Sequence, residues 1–167
     1  MLSIKKMNDH DLQKIYSFLS SLAPENGFEN RFYGVSFESF KTIYYPQLML
    51  ESQGIDLQPG RVPQTYFFLF DDDRIVGLFK VRHYLNDFLK EGAGHIGYAI
   101  GKADRQKGYA TKGLSLLLQE TKNLIKEDEI YMSCKPTNVA SLHVQLKNGA
   151  YIIHQDDNKI LTRITKK

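Results

Sequence analysis

The spacing of apolar and polar residues changes several times along the chain, and each change marks an element. Leu2 and Ile4 alternate with polar neighbours, the two-residue period of a short strand. Asn8 then precedes Leu12, Ile15, Tyr16, Leu19 and Leu22, spaced three and four apart, which predicts an amphipathic helix. Residues 24–34 (PENGFENRFYG) carry no period and read as a loop. Ser36 is placed to cap a second helical stretch carrying Phe37, Phe40, Ile43 and Tyr44, which Pro46 interrupts or kinks. Residues 54–63 are again loop-like. Gln64 to Phe70 (QTYFFLF) and Arg74 to Tyr84 (RIVGLFKVRHY) are β-rich runs around Asp71-Asp72-Asp73, the pattern of a hairpin.

In the second half, Gly94 to Gly101 (GHIGYAIG) reads as a strand, followed by the polar loop KADRQKG and by Ala110, Leu114, Leu117, Leu118 and Leu124 at helical spacing. Glu129 to Cys134 is a further short strand. Asn138 to Lys147 is a helix ended by Asn148-Gly149, and Tyr151 to His154 with Ile160 to Ile164 form a closing hairpin. The order β-α-α-β-β-β-α-β-α-β-β predicts an α/β (α+β) fold: a mixed, mainly antiparallel central sheet flanked by helices, with at least one parallel crossover. No repeat, low-complexity tract or Pro/Ser-rich linker divides the sequence, so residues 1–167 are expected to fold as one domain.

Composition narrows the function classes. Apolar residues make up 42% and charged residues 25%, ordinary globular usage. The longest apolar run, Tyr66 to Phe70, is far below the roughly 20 residues of a membrane span, and the start MLSIKKMNDHDLQ has no signal-peptide core, so no membrane partner is expected. The single cysteine, Cys134, excludes an internal disulfide and suits a reducing compartment, with the cytoplasm as default; on a core strand it reads as a small buried residue. The five histidines show no paired metal spacing, so no metal site is expected. A formal charge of +3 is too mild to demand nucleic acid. Any grip on an anion must come from local clustering.

Three glycine patterns compete for that role. Gly92-Ala93-Gly94-His95-Ile96-Gly97 matches G-x-G-x-x-G, but a dinucleotide fingerprint follows a strand and opens a helix, whereas here a polar stretch comes before and a strand after. No P-loop occurs. The third, Arg105-Gln106-Lys107-Gly108-Tyr109-Ala110, lies between a strand and the first turn of an amphipathic helix, where unpaired N–H groups and a partial positive charge favour phosphate. Lys102, Arg105, Lys107 and Lys112 add cations against one acid, Asp104. Charge alone leaves open a solvated helix start.

These residues resemble the GNAT-type N-acetyltransferase superfamily, whose pattern Arg/Gln-x-x-Gly-x-Gly/Ala is met by RQKGYA behind the strand HIGYAI. Asn138-Val139-Ala140-Ser141 and Lys147-Asn148-Gly149-Ala150 resemble the family's later helix, and RHYLNDFLKEGAGHIGY is similar to a bacterial subgroup of predicted acetyltransferases. The resemblance is specific from about Arg74 to Tyr151. It implies a splayed strand pair that binds acetyl-CoA, with the main chain of Tyr98, Ala99 and Ile100 pairing with the pantetheine arm. The amides of Arg105, Gln106, Lys107, Gly108, Tyr109, Ala110 and Thr111 would cradle the pyrophosphate, and Asn138 with Ser141 would sit beside the pantetheine or thiol end. A backbone N–H of the first wedge strand would polarise the thioester carbonyl.

The resemblance also implies a general base on that strand. The family often has glutamate there; an ungapped count from Gly108 puts Gly94 nearest, with His95 adjacent, and a histidine titrates near neutrality. His95 is therefore the candidate catalytic residue, beside the alternative that it is a strand residue hydrogen-bonded for packing. Gln145 stands where many members carry the tyrosine that protonates the departing thiolate. The expected reaction is acetyl transfer to a primary amine by direct attack, with a small-molecule or peptide acceptor. The rival is a CoA-binding or interaction domain without the chemistry. Phe28, Phe32, Tyr33, Phe37, Phe40, Tyr44 and Tyr45 crowd one segment, which fits an acceptor pocket, a homodimer face or core packing.

Overall fold

The computed structural model describes all 167 residues. Strand β1 (Leu2–Lys6) leads into α1 (Leu12–Ser21). Helix α2 (Phe37–Ser39), capped by the Ser36 side chain on the N–H of Ser39, passes through a π-helical turn (Phe40–Tyr44) into α3 (Tyr45–Ser52). Pro46 explains that turn. It lacks an N–H and its ring would clash with a carbonyl one turn back, so the helix widens before it and restarts with Pro46 in the first turn of α3, where no donor is needed.

Strands β2 (Gln64–Asp71) and β3 (Arg74–Arg82) form the expected hairpin, closed by Asp72 and Asp73. A single turn of helix, α4 (Asp87–Lys90), follows, capped by Asn86; four residues are too few to show a period, and the segment reads as loop in sequence. Then come β4 (Ile96–Ile100), α5 (Tyr109–Glu120), β5 (Glu129–Cys134), α6 (Val139–Lys147), β6 (Tyr151–Gln155) and β7 (Ile160–Thr165).

The strands form two antiparallel sheets, β1-β2-β3-β4 and β5-β7-β6. β2 is apolar almost throughout because both faces are covered. Tyr66, Phe68 and Phe70 pack under α1 and α3 with Ile15, Leu19, Phe40 and Leu48, while Phe67 and Leu69 join Phe79, Val81, Leu114 and Leu117 under α5. Core packing accounts for most of the aromatic segment. Phe32 and Phe40 are buried with ring centroids 5.6 Å apart, and Phe32 also meets Tyr66 at 6.2 Å. Helix α5 sits close because Gly113 faces the buried Phe79 ring; a Cβ there would lie 2.7 Å from it.

The expected parallel pairing is reduced to one contact. β4 and β5, which α5 links, form no ladder; they meet only where the N–H of His95 donates to the carbonyl of Tyr131 (2.7 Å), just before β4 begins. Gly94 makes that approach feasible. Its φ of +67° is left-handed, and a Cβ on it would stand 2.2 Å from the Tyr131 carbonyl oxygen. Beyond this pivot the strands part, and the hydroxyl of Tyr98 on β4 reaches across to Ser141 on α6 instead.

Candidate active site

The gap between β4 and β5 opens into a cleft of about 620 Å³ that runs to the N-terminus of α5. β4 is an edge strand on this side. The N–H of Gly101 bonds Val76 of β3, and N–H groups alternate sides along a strand, so those of Tyr98 and Ile100 point into the gap. Tyr98, Ala99 and Ile100 line the cleft, as do Asn138 and Ser141 from the opposite wall.

At the far end, the loop after β4 gathers amides. Gln106 (φ +62°) and Gly108 (φ +78°) both take left-handed conformations, which curl the loop into a concave nest at the start of α5. No backbone N–H from Arg105 to Thr111 finds an acceptor in the protein, and the first amide of α5 to bond back is that of Lys112, to the carbonyl of Gly108. Arg105, Gln106, Gly108, Tyr109, Ala110 and Thr111 line the cleft. The nest is braced from below, where the Tyr109 hydroxyl donates to Asp71 of β2 at 2.5 Å.

Arg105 and Lys107 are spent on neighbours, and Lys102 and Lys112, though unpaired, do not line the cleft. Arg74 grips Asp104 through two bonds of 2.7 and 2.9 Å and holds its carboxyl below the usual range. Lys107 adds a contact to Asp104 at 3.3 Å and does not line the cleft, unlike its neighbours Arg105, Gln106 and Gly108. Arg105 pairs with Glu25 at 2.5 Å and bonds the carbonyl of Ile100. Amides, more than charged side chains, are left to meet an anion.

Glu25 belongs to a wall that periodicity did not reveal. Glu25 and Phe28 exchange backbone bonds of 3.2 and 2.8 Å around Asn26 (φ +51°) and Gly27 (φ +81°), a two-residue turn closing over the cleft. Asn-Gly is a strong hairpin signal that the absence of a period obscured. The α6 side of the cleft, Ala140, His143, Val144 and Lys147, follows a helical i, i+3, i+4, i+7 spacing and was readable in principle.

His95 corrects the sequence expectation. It is completely buried, outside the cleft lining, and both ring nitrogens are engaged. Nδ1 accepts the N–H of Tyr131 (2.9 Å), which fixes the tautomer with the proton on Nε2, and Nε2 donates to Glu127 Oε2 (2.7 Å). No lone pair remains to take a proton from a substrate. Local spacing could not show this, because Glu127 lies 32 residues away in sequence. Burial lowers the pKa of His95 despite Glu127, and burial lowers that of His83 as well. Both are neutral in the fold and protonate more readily once unfolded. Their contribution is therefore present above the ordinary histidine pKa and is lost as pH falls toward their folded values. Thermal melting is expected to fall between pH 7 and pH 5, and His95→Gln to flatten that slope.

Gln145 is also buried. Its amide donates to Ser133 and Ser141, each at 3.3 Å, and its Oε1 accepts from Thr162 at 2.7 Å, so it braces α6 against the second sheet. Cys134 is half-buried, and burial pushes its thiol pKa up, away from nucleophilic use. No group of three or more His, Cys, Asp or Glu is placed to hold a metal ion.

Comparison with known proteins bears on this arrangement of splayed strands, amide nest and crossing helix. The family model described as an acetyltransferase (GNAT) domain matches residues 2–151. The chain belongs to this family. Acetyl-CoA-dependent acetyl transfer is therefore its general activity. Among solved structures, the GNAT fold extends over nearly the whole chain. The ribosomal-protein-S5-alanine acetyltransferase of Vibrio fischeri is 16% identical with a TM-score of 0.67, covering 99% of this chain and 93% of its own. Spermidine N-acetyltransferase from Vibrio cholerae, in complex with CoA and spermine, is 14% identical with a TM-score of 0.63, covering 99% and 95%. A GNAT-family acetyltransferase of Streptococcus pneumoniae is 15% identical with a TM-score of 0.63, covering 98% and 97%. No curated protein matches by sequence. No helix is long and apolar enough to cross a membrane.

Proposed function

We propose that residues 1–167 act as one catalytic domain that moves an acetyl group from acetyl-CoA to a primary amine by direct attack, in the cytoplasm. The observation that carries this reading is the run of unpaired amides from Arg105 to Thr111 at one end of a cleft whose other end presents the N–H groups of Tyr98 and Ile100. Amides fixed by the fold are donors already oriented toward an anion, and a pyrophosphate placed there leaves the pantetheine arm to run along the open edge of β4.

In the transfer, the amine nitrogen attacks the acetyl carbonyl and the C–S bond breaks. The nitrogen loses a proton to water, and the sulfur leaves as thiolate or takes a proton. A thiol of pKa ~8.5 leaves without strong acid help. A candidate donor to the sulfur is the hydroxyl of Tyr98, a cleft-lining residue 2.9 Å from Ser141 Oγ; burial pushes its pKa up to about 12, so it keeps its proton and can donate it by releasing its bond to the Ser141 carbonyl. Tyr98→Phe is expected to lower kcat about 10-fold while leaving CoA affinity within about 2-fold, since a neutral hydrogen bond contributes roughly 1 kcal/mol.

The rival reading, a CoA-binding domain without chemistry, is favoured by one feature: Gln145, buried and fully bonded, offers no acid. Thiol release from acetyl-CoA, followed against a panel of primary amines, separates the two. The proposed reading expects amine-dependent release with a matching N-acetylated product; tight CoA binding with no release above the amine-free rate would establish the rival.

A further inference from the structure

A second cavity, of about 310 Å³, lies beside the first, and Phe28 lines both. Its floor is the end of the β2–β3 hairpin, where Gln64 stands opposite Arg82 and Tyr66 opposite Lys80. The face is the one away from α5, because Leu78, Lys80 and Arg82 alternate with Phe79 and Val81. On the next strand Lys80 pairs with Gly97, and nothing lies within 4 Å of where a Gly97 Cβ would be. That opening adjoins the parting of β4 and β5.

The charge of this cavity is one-sided. Arg31 is engaged by buried Glu51 through bonds of 3.1 and 3.3 Å. Arg61, Lys80 and Arg82 make no ion pair. Lys80 Nζ donates to the carbonyl of Glu29 (3.1 Å) and Arg82 to that of Gly94 (3.1 Å). Glu29 is the one lining carboxylate left to face these three cations. Lys80, which also lies over the Phe28 ring at 4.4 Å, and Arg82 are half-buried while Arg61 is exposed, and half-burying two cations on one face without carboxylate partners opposes folding unless something else rewards it. Burial, with a smaller contribution from the nearby Arg82, lowers the Lys80 pKa to about 8.

We propose that this cavity receives the acceptor, and that the acceptor is a primary amine carrying an anionic group, a carboxylate or a phosphate. Arg61, Lys80 and Arg82 bind the anion while the amine passes Gly97 toward the cleft. The inference rests on the acetyltransferase reading and adds the substrate class. The field that recognises the anion also disfavours an ammonium, so it helps the amine to lose its proton before attack. It repels the additional ammonium groups of a polyamine or an aminoglycoside.

The test measures acetylation by the full chain of matched pairs: a C-terminally amidated Asp-containing dipeptide with a free N-terminus against its amidated Asn counterpart, and glucosamine 6-phosphate against glucosamine, with spermidine as the polycation. The expected result is that one anionic member exceeds its neutral counterpart by about 100-fold in kcat/KM, the pair showing it telling carboxylate from phosphate. Arg82→Gln, and separately Lys80→Gln, are expected to shrink that preference about 10-fold through KM, with melting curves confirming the fold. Neutral amines or spermidine acetylated as well as both anionic members would overturn the proposal and leave the acetyltransferase reading standing. If no amine is acetylated, that reading fails instead, and calorimetric titration of the same four amines into CoA-saturated protein decides the cavity. Tighter binding of an anionic member, weakened in Arg82→Gln, upholds it; equal binding within both pairs refutes it.

Discussion

Replacing Gly108 by asparagine is expected to weaken CoA binding about 100-fold while leaving pantetheine binding within about 2-fold. Gly108 lines the cleft in the left-handed conformation at the head of α5, and nothing in the protein lies within 4 Å of the place a Cβ would take. Asparagine tolerates that conformation better than any β-branched residue, so backbone strain stays small and the effect falls on the ligand. Hydrogen bonds to a charged group are worth about 1.5–3 kcal/mol each, so displacing one or two phosphate contacts accounts for such a loss. Pantetheine lacks the pyrophosphate and should not notice. Gly108→Val would confuse the test, because valine at a φ of +78° strains the loop itself. Isothermal titration of both ligands into wild type and variant measures the difference.

The largest effect on stability is expected at Gly94. An added methyl there would sit 2.2 Å from the carbonyl oxygen of Tyr131 and 3.1 Å from the amide nitrogen of Met132, in backbone that cannot withdraw. The left-handed φ of +67° adds strain. Gly94→Ala is expected to cost more than about 3 kcal/mol, a fall in Tm on the order of 10 °C for a chain of this size. Gly97→Ala, in the same region of chain with open space around its Cβ, is the control and is expected to change Tm by no more than about 2 °C. Equal melting of the two variants would show that the β4–β5 pivot is not built on this close approach.

Much of the frame was legible because it is local. β5 falls on Glu129–Cys134 as its alternation indicates, α6 begins after Asn138, and the step from β4 through a basic glycine loop into α5 shows in spacing alone. The amide nest could be placed for the same reason: helix-start donors go unpaired wherever the preceding loop does not fold back. What escaped depends on distant partners. His95 looks like a base until Tyr131 and Glu127 close around it, and no window of sequence contains all three. The second cavity draws on residues from Phe28 to Leu89, and its character comes from the absence of ion pairs at Arg61, Lys80 and Arg82, which spacing does not show. The single trace of it was Lys80 and Arg82 alternating with Val81 at the end of an otherwise apolar strand.

The most direct measurement of the central claim is calorimetric titration of the wild-type chain with CoA and with pantetheine at one salt concentration. A cleft that grips pyrophosphate by its amides and the pantetheine arm by β4 should bind CoA at least about 100-fold more tightly than pantetheine, with acetyl-CoA competing for the same site. Equal affinity for the two, or no heat with CoA at millimolar concentration, would contradict the assignment of the Arg105–Thr111 amides and the cleft with it.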